Sequence, residues 1–405
     1  MVFYRKIVGW GLCLLFCLLL MAGCGSSLRS GNLIVKYYYT QSDDGITIAL
    51  RRYQPERLSA DKCPIILCHG LSYNLLFWDL NEQVTLARYL ARKGYDVWSL
   101  SLRGACPSSQ PLNSFIRKLT HFHLEPKAVS TLLRQVTVLK MIDWSVDDHI
   151  NFDIPAALDF VTAQTQKKQV HWIGHSMGGM IMLAYLSEPE RQNEVRIRSL
   201  VAAATPMVVF HPLSKPLQFL LDTEPALGVG SRVVGTTAPA TWGVIFGDLR
   251  TPKDRLFYNS NNMNAMTLHE LFRVAEEEIS AGQLKQLLSM VRFERFKSLD
   301  GKIDYTKGLE RVNKPTLFLA GSVDNMATPG TVKYAYRKIA AQDKQFAMFG
   351  RVNSHRNDYG HNDIIIGKHA HREVYPVILK WLKQYPHITD IGEVNLEPGL
   401  SGPEN

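Results

Sequence analysis

Ser176, Asp324 and His361 are the residues of this 405-residue chain whose types and order could carry out nucleophilic chemistry. A serine hydroxyl is a weak nucleophile at neutral pH. It needs a histidine to take its proton and a carboxylate to orient that histidine. Ser176 lies in Gly174-His175-Ser176-Met177-Gly178, which matches the G-x-S-x-G turn that raises a nucleophile off the end of a strand. Val170, Trp172 and Ile173 supply a β-prone run before the turn, and Gly179 to Leu186 reads as an apolar helix beneath it. The spacing has a steric reason: the serine is held at strained backbone angles, so Gly174 and Gly178 must lack side chains where strand and helix approach.

The partners of such a serine follow it in the order acid, then histidine. Asp324 stands four residues past the strand-like TLFLA, in the loop GSVDNMATP that Pro329 closes. After the last predicted strand, His355, His361, His369 and His371 are the candidates for the base. His361 is the best placed, because Gly360 frees the backbone before it and the apolar Ile364-Ile365-Ile366 follows. His355 is the runner-up, while His369 and His371 read as decoration of a solvated helix. A tetrahedral intermediate also needs two backbone N–H donors. Met177, directly after the serine, is one; Leu71, in His69-Gly70-Leu71-Ser72 after the strand Ile65 to Cys68, is the other. His69 precedes the serine, the wrong order for a base, and reads as a structural loop residue.

These residues need a scaffold that brings strand ends together. Leu33 to Tyr39 and Ile46 to Tyr53 flank the turn-rich Ser42-Asp43-Asp44-Gly45 and predict a hairpin. After Pro64, strands (Ile65 to Cys68, Tyr95 to Leu100, Val170 to Ile173, Ser199 to Ala203, Thr316 to Ala320, Gln345 to Phe349) alternate with helices. One helix is predicted over Asn81 to Lys93, and another begins at Ile154-Pro155 with Asp153 as its cap. Alternation of this kind predicts an α/β fold with a mostly parallel sheet covered on both faces. It lapses between Ala204 and Asn313, where a Gly- and Pro-rich stretch, Pro206 to Gly247, precedes an amphipathic helical pattern, Leu268 to Phe296. The expected organisation is a first core part over 33–205, a cap or lid insertion over 206–313, a second core part over 314–385 and a mobile tail over 386–405.

The N-terminus carries Arg5 and Lys6, an apolar run from Ile7 to Leu20, and then Met21-Ala22-Gly23-Cys24. This is a secretory pattern ending in a lipobox-like sequence, so residues 1–23 read as a signal peptide, Cys24 as the lipidated residue and 24–32 as a tether. An uncleaved inner-membrane anchor is the competing reading. The expected place is a bacterial envelope, on the outer membrane facing the periplasm. The formal net charge of +9 falls to +7 without Arg5 and Lys6 and is scattered rather than clustered, which fits a basic surface near an anionic membrane better than a nucleic-acid site, so no nucleic-acid partner is expected. Beyond the signal and Cys24, the remaining Cys63, Cys68 and Cys106 have neither metal-like spacing nor a disulfide framework. No nucleotide, haem or metal signature is present, so no cofactor is expected.

The segments CHGLSYN, YDVWSLSLRG, INFDIPAALDFV leading to VHWIGHSMGG, and YGHNDIIIG together resemble the acid lipase branch of the α/β-hydrolase fold, which holds the gastric and lysosomal lipases. The resemblance covers about Cys68 to Gly104, Asp143 to Thr205 and Lys314 to Gly367. It implies an esterase or lipase with Ser176 as nucleophile, Asp324 as acid, His361 as base and oxyanion donors at Leu71 and Met177. Gly360 departs from the Asn expected before the histidine, and the cap is not that family's lid. The expected activity is hydrolysis of carboxylic esters, with lipid or small esters as partners. The alternatives are an amidase, peptidase or thioesterase with the same triad, or a non-catalytic envelope module that binds lipid or a partner.

Overall fold

The computed structural model describes residues 28–30, 33–105, 108, 143–209, 254–277 and 279–387. The segment read as a signal peptide, Cys24, Cys106, nearly all of the Gly- and Pro-rich stretch expected to form a cap and the tail beyond 387 lie outside the described residues. One sheet organises the rest. Its strands are β1 (Leu28–Ser30), β2 (Leu33–Gln41), β3 (Thr47–Pro55), β4 (Ile65–Cys68), β5 (Val97–Ser101), β6 (Val170–His175), β7 (Ile197–Ala203), β8 (Thr316–Gly321) and β9 (Lys344–Phe349). They lie side by side in the order β1-β2-β3-β5-β4-β6-β7-β8-β9. The β1 to β3 meander joins antiparallel to β5, and every pair from β5 to β9 is parallel. Within the segment read as a tether, β1 pairs with β2.

Burial explains the composition of each strand. β4 (IILC), β6 (VHWIGH) and β8 (TLFLAG) are buried at every position, as parallel strands covered on both faces must be. β2, near the edge, instead exposes Lys36, Tyr37 and Tyr39. The helices that matter for the site are α1 (Leu86–Arg92), α2 (Ile154–Thr165), α3 (Met177–Ser187), α4 (Ala281–Phe293), α5 (Pro329–Lys338) and α6 (Tyr375–Lys383). α3 is buried along its whole length and carries the elbow on its first turn. After β4 the chain crosses to β5 on one side and later returns to β6 on the other. Such a reversal opens a crevice at the carboxyl ends of the two central strands, where ligands bind in open α/β sheets.

Three expectations are corrected. The helix predicted over Asn81 to Lys93 begins only at Leu86, because Asn81 Oδ1 accepts from the Gln83 and Val84 N–H groups in a local turn and Thr85 then caps α1. Asp153 does not cap α2: the chain arrives already helical through Val146–Asp148 and a wide turn, His149–Asp153, and its carboxylate makes no hydrogen bond to the first turn of α2. The amphipathic stretch Leu268 to Phe296 is two helical pieces. Ala265–Glu270 runs into a wide turn, Leu271–Ala275, and α4 restarts behind Ser280, which forms a capping box with Gln283.

Candidate active site

β6 delivers Ser176 into a backbone conformation of φ 52° and ψ −119°, a left-handed strain that turns its hydroxyl out of the sheet. The glycines are required as the spacing implies. A Cβ on Gly174 would lie 2.3 Å from the Gly178 backbone, and one on Gly178 would lie 2.2 Å from the Cys68 carbonyl oxygen.

His361 Nε2 stands 2.9 Å from Ser176 Oγ, and His361 Nδ1 stands 2.9 Å from Asp324 Oδ2. With a neutral imidazole protonated on Nδ1, the ring donates to Asp324 and accepts the serine O–H. Asp324 is delivered by the loop after β8, where its Oδ1 accepts from the N–H groups of Met326 and Ala327, both at 2.8 Å. All three residues are buried, Ser176 being the most exposed at 8%. The backbone of His361 is tied down as well: His175 Nε2–H donates to its carbonyl oxygen at 2.9 Å. Burial holds the His175 imidazole well below the usual histidine range, so it is neutral and must carry its proton on Nε2 to make that bond.

The loop around His361 is pinned by the start of the described inserted segment. Asp363 Oδ1 accepts from the Asn259 and Gly360 N–H groups, and its Oδ2 accepts from Asn262 Nδ2. Burial pushes the Asp363 carboxyl up to about 6, against these hydrogen bonds. A Cβ at Gly360 would come within 2.8 Å of the Asn259 nitrogen. The close approach of that segment therefore accounts for glycine where the resembling family carries asparagine.

The predicted oxyanion donors sit on the turns after β4 and β6. Met177 opens α3, so its N–H is one of the first-turn donors that a helix leaves without an internal acceptor. Leu71 follows Gly70, whose carbonyl accepts from His69 Nδ1–H at 2.8 Å, while His69 Nε2 accepts from Leu102 N–H at 3.1 Å. Burial lowers the His69 pKa to about 4, so the ring is neutral and braces the loop, as its position in the chain implied. Of the other histidines, His355 turns away to the Gly350 backbone and packs on Phe349 and Tyr359. His369 and His371 lie at a short helix on the surface side, half-buried.

A model of the alpha/beta hydrolase fold matches residues 64–365. The chain belongs to that family. Within this α/β hydrolase the matched span contains Ser176, Asp324, His361, Leu71 and Met177, and Cys24 lies before it. The hydrolase is similar to lipase member K of Homo sapiens, 28% identical over 189 residues that cover 45% of this chain and 42% of that protein. Its match therefore spans less than half the length of that relative. It is also similar to lipase 3 of Drosophila melanogaster, 22% identical over 401 residues, covering 90% of this chain and 94% of that one. Among solved structures, the fold is shared with an esterase from Exiguobacterium antarcticum at a TM-score of 0.52 and 15% identity, covering 85% of this chain and 98% of that one.

Sequence reasoning missed a second buried cluster beside the elbow. Asp153 accepts from Arg103 N–H and Nε–H and from His149 Nδ1–H, the last at 2.7 Å, and Arg103 forks onto Asp44 in the β2–β3 turn. On its far side, His149 Nε2 accepts from Gln283 of α4 at 2.7 Å, and Gln283 lies 3.8 Å from Met177 Sδ. The Asp in FDIPA was the available signal, but its place before a proline reads as a helix cap.

Proposed function

We propose that this chain is a serine hydrolase of carboxylic esters, acting through Ser176, His361 and Asp324. The observation that carries the reading is the unbroken line of two 2.9 Å hydrogen bonds from a buried carboxylate, through an imidazole, to a serine at strained backbone angles. In the first half-reaction His361 Nε2 takes the proton as Ser176 Oγ attacks the ester carbonyl. Asp324 holds the imidazole in the Nδ1–H tautomer and stabilises the imidazolium that forms. The N–H groups of Leu71 and Met177 receive the developing oxyanion. Collapse expels the alcohol, protonated by His361, and leaves an acyl-Ser176 ester. A water activated by the same histidine then releases the acid and restores the serine.

Similarity to proteins named lipases supports lipid or other apolar acyl esters as the substrate class. The N-terminal Arg5-Lys6, apolar run and Cys24 support a lipid-anchored place in a bacterial envelope, on the outer membrane facing the periplasm. The test is a p-nitrophenyl ester series from acetate to palmitate, with Ser176→Ala as control, together with fluorophosphonate labelling of the full chain in detergent. Turnover and a serine adduct, both lost in the variant, are expected. Equal behaviour of wild type and variant sinks the reading. Loss of lipid modification in Cys24→Ser, read by mass spectrometry, tests the anchor separately.

A further inference from the structure

The turn that bears Leu71 does not hold itself. Ser72, the next residue, has φ 59° without being glycine, a conformation that persists only where the surroundings hold it. What holds it comes from the inserted segment, about 200 residues later in the chain. Glu277 N–H donates to the Ser72 carbonyl at 2.8 Å, and Asn74 N–H donates to the Ala275 carbonyl at 2.9 Å. Between them Tyr73 and Glu276 form one antiparallel bridge. The Asn74 side chain, buried, completes the joint. Its Nδ2 donates to Val274 O at 2.9 Å and to Glu277 Oε1 at 2.8 Å, while its Oδ1 accepts from Leu76 N–H at 2.8 Å. Both amide hydrogens and the oxygen are engaged, so the side chain has one orientation. The Leu71 N–H thus lies between two anchored carbonyls, Gly70 held by His69 and Ser72 held by Glu277.

We propose that Asn74 and Glu277 are positioning residues for the oxyanion hole, and that the Val274–Glu277 stretch of the inserted segment is its mould. The inference rests on the serine hydrolase reading of Leu71. Its physical content is that a backbone donor stabilises the transition state only when preorganised at the place where the oxyanion forms. The strained turn supplies that place only while the Val274–Glu277 stretch is docked.

The test uses the full chain in detergent. Asn74→Asp keeps the size and the acceptor for Leu76 N–H, removes both donors into the inserted segment and sets a second carboxylate against Glu277. Glu277→Gln keeps the acceptor. In the double variant, the amide introduced by Glu277→Gln can donate to the carboxylate introduced by Asn74→Asp, restoring the bond between positions 74 and 277 with its polarity reversed, although the donation to the Val274 carbonyl stays lost. Expected for Asn74→Asp is a fall of about 100-fold in kcat on p-nitrophenyl butyrate, with KM within about threefold. Affinity for an alkyl boronic acid, which forms a tetrahedral adduct on the serine, falls in parallel. Glu277→Gln stays near wild type, and the double variant recovers at least about tenfold of the lost rate. Should Asn74→Asp not fold, Glu277→Leu and Glu277→Gln are read the same way, loss in the first and retention in the second. A folded Asn74→Asp or Glu277→Leu with unchanged kcat and boronate affinity overturns the proposal, as does a loss that the double variant fails to recover. Wild-type protein without turnover or serine adduct overturns the hydrolase reading itself, and the positioning role with it, before any variant is made.

Discussion

Two buried histidine–aspartate pairs flank the elbow, and they have opposite surroundings. His361–Asp324 and His149–Asp153 have nearly the same geometry, 2.9 and 2.7 Å between ring nitrogen and carboxylate. Asp153 is also ion-paired with Arg103, and His149 turns its other nitrogen to Gln283. Asp324 is held by two backbone N–H groups; among the described residues its one ionic partner is His361, which turns its other nitrogen to Ser176. A carboxylate already neutralised by a guanidinium has little charge left to stabilise an imidazolium. One held by neutral amides keeps it. The lesson is that what faces the two ends of a histidine–carboxylate pair decides whether its geometry suits proton transfer. In the second pair both ends are closed by the structure, and its effect is to bind the β2–β3 turn, the loop after β5, α2 and α4 together.

The sharpest way to break this contrast is to exchange each carboxylate for its amide. Asp324→Asn is expected to lower kcat by about 10⁴-fold, the scale for losing the tautomer-fixing acid of such a triad, with a melting temperature near wild type. Ester turnover beside a thermal melt measures both. Asp153→Asn should do the reverse. Breaking a buried pair by removing one partner costs about 3–5 kcal/mol, so the denaturation midpoint falls while kcat per folded molecule stays close to wild type. A large kcat loss with unchanged stability in Asp153→Asn would erase the distinction.

The pH dependence of stability sharpens it further. Burial alone raises the Asp153 carboxyl, but the His149 hydrogen bond and the Arg103 charge outweigh it and hold it below the usual range. Its contribution is therefore present above the unfolded value and lost as pH falls through the lower folded one. Asp363 has the opposite sign. Raised from 3.8 to about 6, it binds a proton in the folded state that the unfolded chain has released, so its contribution is present at low pH and lost as pH rises between those values. At 1.36 kcal/mol per pH unit the loss is about 3 kcal/mol. Urea melts from pH 4 to 7 should show this slope in wild type and a flatter one in Asp363→Asn; identical slopes would refute it. The smallest effect belongs to the runner-up histidine. His355→Ala is expected to leave kcat within about twofold and to lower stability by about 1 kcal/mol through lost contact with Phe349 and Tyr359.

Much of the core is readable because its signals are local. A buried parallel strand is an unbroken apolar run, and an elbow needs two glycines four residues apart. For that reason β4, β6 and β8, Ser176 and the ordered partners Asp324 and His361 could be named from residue types and succession. The misread elements are those where a polar side chain has two chemically equivalent uses. Asp153 before Ile-Pro fits a cap as well as it fits an arginine clamp, and Asn81 fits a first helical turn as well as the local turn it makes. The broken helix at Glu276 belongs with them, since its residues are good helix formers that pair with Tyr73 instead.

By itself, then, the sequence determined the alternation of strands and helices, the strained serine and the order of its partners, because each depends on neighbours within a few residues. Which histidine reaches Ser176, which carboxylate is neutralised, and that the strained turn at Ser72 is held by residues about 200 positions away were decided by the tertiary structure. The reason is physical. Hydrogen-bond geometry and burial are properties of groups brought together by packing, and no local pattern encodes which distant group arrives.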